Sequence, residues 1–421
     1  MSHYAVISPP LYSHMRALEA LAQALIARGH RITFFNQAGA QQLLQDPRIG
    51  FCAVGEKIHP PARLQRTLRL MAHPAGPGII RLINDLASTT DMLCHALPAV
   101  LAQLGVDGVI VDQMEPAGGL VAESLGLPFV SVACALPVNR DETIPLPVMP
   151  FHYAPGERRK KLYRASTQVY DKVMARQNAV IARHARRFGL PERNAMHECL
   201  SPLAQVSQTL ACFDFPRQLP AWFHAVGPLR QPQEITSHNH SGAERPLIFA
   251  SLGTLQGHRY RLFRTIARAC RRMNVRLLIA HCGGLNARQV EKLVARGAEV
   301  TDFADQTAVM RDADVVVTHG GMNTVMDAIN STTPILVIPL AFDQPGVAAR
   351  VEYHQIGRRV SRFASSARVE KNLRALLADN RYAIKLAAMQ QPLQEAGGAP
   401  RAAQIVELAL TSRQPVMAGA L

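Results

Sequence analysis

Tryptophan occurs once in this chain of 421 residues, and aromatic residues make up only 5% of it. Nucleic-acid surfaces interleave cations with stacking rings, so a nucleic-acid role is not expected even though the formal charge is +15. No apolar run approaches the roughly 20 residues that a membrane-spanning helix requires. Nor does a basic segment followed by a long apolar one open the chain, so a cytoplasmic protein is expected. The seven cysteines never stand in a C-x-x-C spacing, which argues against a disulfide framework or a zinc site and for reduced thiols. The turn from Ser8 to His14 carries no G-x-G-x-x-G, so no dinucleotide site is expected there.

What is present is a repeating strand and helix pattern on a length that suggests two domains. Tyr4 to Ser8 and Arg31 to Phe35 read as strands around an amphipathic helix from Arg16 to Arg28; Gly108 to Val111 and Phe129 to Val132 read as later strands. A polar stretch rich in glycine and proline at 227–246 reads as a linker between an N-terminal domain, 1–226, and a second domain, 247–395. The second domain's expected strands are Leu247 to Ser251, Arg276 to Ala280, Ala298 to Thr301, Ala313 to Thr318 and Ile335 to Pro339. The fold class is therefore α/β, two Rossmann-like domains facing across a cleft.

The segment from Val317 to Asp327 is the most informative. It leaves a buried strand through His319, Gly320 and Gly321 and enters a helix at Asn323 and Thr324. Close backbone approach, unpaired helical N–H groups and a hydrogen-bonding imidazole together suit a diphosphate. Asp327 can accept hydrogen bonds from ribose hydroxyls. Ser251, Gly253 and Thr254 fall at the same edge, as do Phe303, a ring for base stacking, and Gln306, a partner for the base edge or ribose. Asp343 and Gln344 can bind sugar hydroxyls. Taken singly, each has a plainer role as a core, turn or capping residue; their convergence on one edge points to a nucleotide.

In the first domain His14 stands at a helix entrance and Asp112 ends a strand, both at carboxyl edges. As a pair they suit a general base and the carboxylate that orients it. Arg158, Arg159, Lys160 and Lys161 follow an apolar, proline-rich loop, a pattern that serves a membrane interface and a solvated helix face equally well.

With these residues assembled, the whole chain resembles the nucleotide-sugar-dependent glycosyltransferases of two Rossmann domains (GT-B fold) that include plant secondary-product and macrolide enzymes. Their signature H-C-G-W-N-S-x-x-E, with a later D-Q, is mirrored by His319, Gly321, Asn323, Thr324, Asp327, Asp343 and Gln344; their W-x-P-Q is mirrored by Phe303 and Gln306. The runs 8–34, 107–137 and 249–260 are similar to the branch that works in bacterial carotenoid pathways. Met322, Phe303, Asp305 and Asp327 depart from the signature's Trp, Trp, Pro and Glu, which leaves donor preference less defined than fold.

The resemblance implies His14 as base with Asp112 in support, UDP-glucose as donor, no required metal, and a hydroxylated carotenoid such as zeaxanthin as acceptor, giving mono- and di-β-glucosides. An acceptor of that kind would draw the enzyme peripherally to an anionic membrane surface on the cytoplasmic side. Residues 396–421 are expected to form a helix and tail that return to the first domain. Another hydrophobic acceptor (macrolide, flavonoid or sterol-like), a nucleotide-sugar epimerase and a non-catalytic nucleotide-sugar-binding subunit remain alternatives.

Overall fold

The computed structural model describes residues 1–74, 76–230 and 245–419. Most of the expected linker, residues 231–244, lies outside them.

Seven strands build the first sheet: β1 His3–Ile7, β2 Arg31–Asn36, β3 Gly50–Ala53, β4 Gly108–Asp112, β5 Phe129–Ala133, β6 Gln205–Ser207 and β7 Phe223–Ala225. Their order is β3-β2-β1-β4-β5-β6-β7, and every pairing is parallel. The second sheet contains β8 Leu247–Ser251, β9 Arg276–Ala280, β10 Glu299–Thr301, β11 Val315–Thr318, β12 Ile335–Val337 and β13 Gly357–Arg359. Its order is β10-β9-β8-β11-β12-β13, again all parallel. Both cores follow from helices covering both faces of a parallel sheet, which is why β1, β4, β5, β8 and β11 are apolar almost throughout and wholly buried.

Each sheet has one place where the winding reverses, between β1 and β4 and between β8 and β11. Strand carboxyl ends diverge there into a crevice where ligands bind. His14, in the first turn of the helix Tyr12–Ala27, and Asp112 flank the first switch point; Ser251 and His319 flank the second.

The halves also touch directly. Gly346 donates its N–H to the Pro147 carbonyl at 2.8 Å, an approach so close that a Cβ on Gly346 would lie 2.7 Å from Pro147. Arg350, fully buried, binds Asp214 through Nε at 2.9 Å and lies 4.2 Å over the Phe215 ring. The final helix, Gly398–Ser412, places Ala402, Ile405, Val406, Ala409 and Leu410 in one core with Tyr4, Leu18 and Ile110 of the first sheet's half.

Candidate active site

On the first sheet, register pairs Ile7 with Val111, so the residues after β1 and at the end of β4 emerge side by side. His14 Nδ1 donates to Asp112 Oδ2 at 2.7 Å, and Asp112 Oδ1 accepts the Met114 N–H at 2.9 Å. Both side chains are buried. The His14 Nε2 makes no hydrogen bond among the described residues, so the imidazole is oriented at one nitrogen and available at the other, as a general base requires. Burial alone would disfavour the imidazolium; the Asp112 charge, its hydrogen bond and the nearby Asp343 charge outweigh that, and the His14 pKa is raised above 6.5.

Cys134, just past β5, brings its Sγ to 3.9 Å from the His14 carbonyl oxygen. Donor atoms of His14, Asp112 and Cys134 lie within 4.8 Å of one another, as do those of Asp91, His95 and His184, so by donor type either group could hold an ion.

On the second sheet the His319 ring is held between two glycines. A Cβ on Gly253 would stand 2.7 Å from His319 Cε1, and one on Gly321 would stand 2.8 Å from it. Gly253 has a positive φ of 72° and Gly320 one of 93°, which let the chain turn tightly beside the ring. Burial lowers the His319 pKa to about 4, so at neutral pH the ring is uncharged and acts by hydrogen bonding.

The helix Met322–Asn330 starts at Gly321 with no side-chain cap, leaving its first N–H groups open to an anion. Ser251 is buried at the end of β8 beside Thr318. Thr254 and Asn323 are exposed at the two helix entrances. These groups form a neutral, hydrogen-bonding cradle suited to a diphosphate.

Beyond it, the two expected nucleoside contacts Gln306 and Asp327 form one network with Thr324 of the helix entrance. Gln306 Nε2 donates to Asp327 Oδ2 at 2.5 Å, and Thr324 Oγ1 donates to Gln306 Oε1 at 3.3 Å. The other Asp327 oxygen is ion-paired with Arg230. The carboxylate read as a free acceptor for ribose is thus already occupied, and a ribose must displace or join these partners. Asp305 caps the helix Gln306–Asp312 by accepting the Ala308 N–H at 3.1 Å. Phe303 is 70% exposed, as a ring awaiting a base would be.

Asp343 reaches across the halves, its Oδ2 accepting the Leu136 N–H at 3.1 Å; burial raises its pKa, and the Leu136 bond and the His14 charge oppose that rise. Gln344, read as a sugar ligand, uses its oxygen to accept the N–H groups of Leu340 and Ala341, both at 2.8 Å, so only its amide nitrogen is left. Arg230 and Leu136 escaped the sequence reading. Arg230 stands in a stretch read only as linker, and Leu136 acts through its backbone.

Residues 192–393 match the family described as UDP-glucoronosyl and UDP-glucosyl transferase. The chain is 54% identical over 424 residues to a zeaxanthin glucosyltransferase of Pantoea ananas, covering 100% of this chain and 98% of the relative. It is 49% identical over 419 residues to one of Pseudescherichia vulneris, covering 99% and 100%. Among solved structures, the glycotransferase of kitacinnamycin superposes with a TM-score of 0.74 at 20% identity, covering 97% of this chain and 99% of that one. The calicheamicin glycosyltransferase CalG4 does so with a TM-score of 0.74 at 19% identity, covering 98% and 99%. This chain, with its two facing parallel sheets and its full-length kinship, belongs to the UDP-glucosyl transferase family and is a GT-B glycosyltransferase.

Proposed function

We propose that the enzyme transfers glucose from UDP-glucose to the hydroxyl groups of a hydroxylated carotenoid, zeaxanthin, with inversion, giving the mono- and then the di-β-glucoside. The observation that carries this reading is the His14–Asp112 pair at one switch point and the His319 cradle at the other, in a chain alike over its whole length to proteins named zeaxanthin glucosyltransferase. In this reading the acceptor hydroxyl gives its proton to His14 Nε2 as its oxygen attacks the anomeric carbon. Asp112 stabilises the imidazolium, and UDP departs from the opposite face. Attack in line inverts the anomeric centre through an oxocarbenium-like state.

Charge growing on the departing diphosphate meets His319, Ser251, Thr254 and the helix N-terminus. With those donors in place, turnover should be unchanged in EDTA. Activity lost to the chelator and restored by magnesium would mean that the leaving group is stabilised by a metal instead.

The decisive experiment follows UDP release from UDP-glucose with and without zeaxanthin, with product mass read in parallel. Carotenoid-dependent release that adds one and then two hexoses supports the proposal. Donor conversion without acceptor identifies an epimerase, and tight UDP binding without turnover identifies a binding subunit. A C40 acceptor resides in lipid, so we also place the enzyme peripherally at an anionic membrane surface; no helix among the described residues is long and apolar enough to cross one.

A further inference from the structure

The helix Glu157–Val173 carries a partly exposed apolar stripe. Tyr163 is buried against the molecule, and Ser166, also buried, marks the edge where the stripe meets it. Leu162, Val169 and Val173 stand on the outside, 38%, 59% and 49% exposed. Their spacing of seven and four residues puts them on one line along the helix. Arg158 lies on the same line, four residues before Leu162, and Lys161 and Lys172 border it on the solvent side.

Charge along this helix is sorted. Its two acidic residues are both paired, Glu157 with Lys160 of the same helix at 2.9 Å and Asp171 with Arg140 at 2.9 Å. Arg164 turns to Glu142 at 3.0 Å. Arg158, Lys161 and Lys172 make no ion pair among the described residues. Exposed aliphatic side chains bordered by unpaired cations, with every nearby carboxylate neutralised, match an anionic bilayer surface, where the stripe enters the headgroup boundary and the cations meet lipid phosphates.

Position supports the match. The helix hangs from the loop that leaves β5 beside His14 and Asp112, and that loop is bonded to the donor half at Leu136 and Pro147. The Tyr163 hydroxyl ties the helix to the loop's end, donating to the His152 carbonyl at 3.0 Å and accepting the Ala154 N–H at 3.1 Å.

We infer that this outward face of Glu157–Val173 is the membrane-docking element, seating the acceptor side of the cleft on an anionic leaflet. The inference rests on the membrane reading above for its purpose, though its test does not.

The test is co-sedimentation of the full chain with phosphatidylcholine vesicles and with vesicles that also contain phosphatidylglycerol, at about 0.1 M and at 1 M salt, where the Debye length falls from about 10 to 3 Å. Expected is binding to the anionic vesicles that weakens at high salt. Val169→Asp with Val173→Asp should reduce it tenfold or more, and Lys161→Glu with Lys172→Glu by a similar factor, since each interfacial cation contributes roughly fivefold in partitioning. Melting temperatures should match wild type because all four side chains are exposed.

Variants that bind like wild type would overturn the inference, as would wild type that ignores both vesicle types. Dimerisation in sedimentation velocity that these variants abolish would reassign the face to a second copy of the chain. Transfer to zeaxanthin in detergent micelles, measured on the same variants, keeps the two questions apart: it should survive in all of them, and its absence in wild type defeats the acceptor reading while leaving the vesicle result standing.

Discussion

His14→Ala is expected to lower turnover by about 10² to 10⁴, or roughly 3 to 5 kcal/mol in barrier height, the range that a positioned general base supplies. UDP binding should stay near wild type, because the cradle belongs to the other sheet. Single-turnover kinetics with a titration of UDP separates the two effects, and full turnover in the variant would remove His14 from the mechanism. The pH profile carries a signed expectation. The base must be neutral, and its pKa is raised above 6.5 mainly by Asp112 acting against burial. Activity should therefore fall as pH drops through that raised value, and Asp112→Asn should move the acid limb downward. Stability runs the other way. A pKa higher in the folded than in the unfolded state gives a contribution that is complete below about 6.5 and lost as pH rises through the folded value. The enzyme is therefore expected to work best in the pH range where that contribution is already gone.

His319→Ala is expected to cost about 10² to 10³ in kcat, the range found when one preorganised donor to a developing negative charge is removed. Its signature differs from that of His14. With a pKa near 4, the His319 ring stays uncharged through the working range, so its loss should lower activity equally at pH 6 and pH 8 and leave the acid limb in place. The donor KM should rise as well, because in the proposed reading the ring also contacts the ground-state diphosphate. A variant with unaltered kcat and KM would move the diphosphate away from the two glycines that hold this ring.

The pairing of His14 with Asp112 was legible across nearly a hundred positions because each residue stands at the carboxyl edge of a strongly apolar strand, where parallel sheets bring such edges together. The strands β8 and β9 were legible throughout for the same reason: four consecutive buried or nearly buried apolar residues in each leave little other choice. Some short strands were not, although β10 and β12, also of three residues, were. β6 and β7 have three residues each, too few for any period, and β13 is Gly357-Arg358-Arg359, a strand only because β12 beside it offers a free ladder edge. Partners supplied by backbone or by distant loops were hidden too. Nothing near Gln344 signals that its oxygen will be taken up by two N–H groups of its own turn, and nothing near Asp327 announces Arg230.

The helix Gly398–Ser412 supplies part of the core around the first strand of the protein, yet the ribosome makes it after the entire donor half. The acceptor half therefore cannot close its interior during its own synthesis. Until that helix is made, Leu18, Leu21 and their neighbours stay incompletely covered. Completion of the first half's interior is thus tied to the last part of the chain to be translated, and a chain ending before residue 398 would lack the helix that covers Leu18 and Ile110.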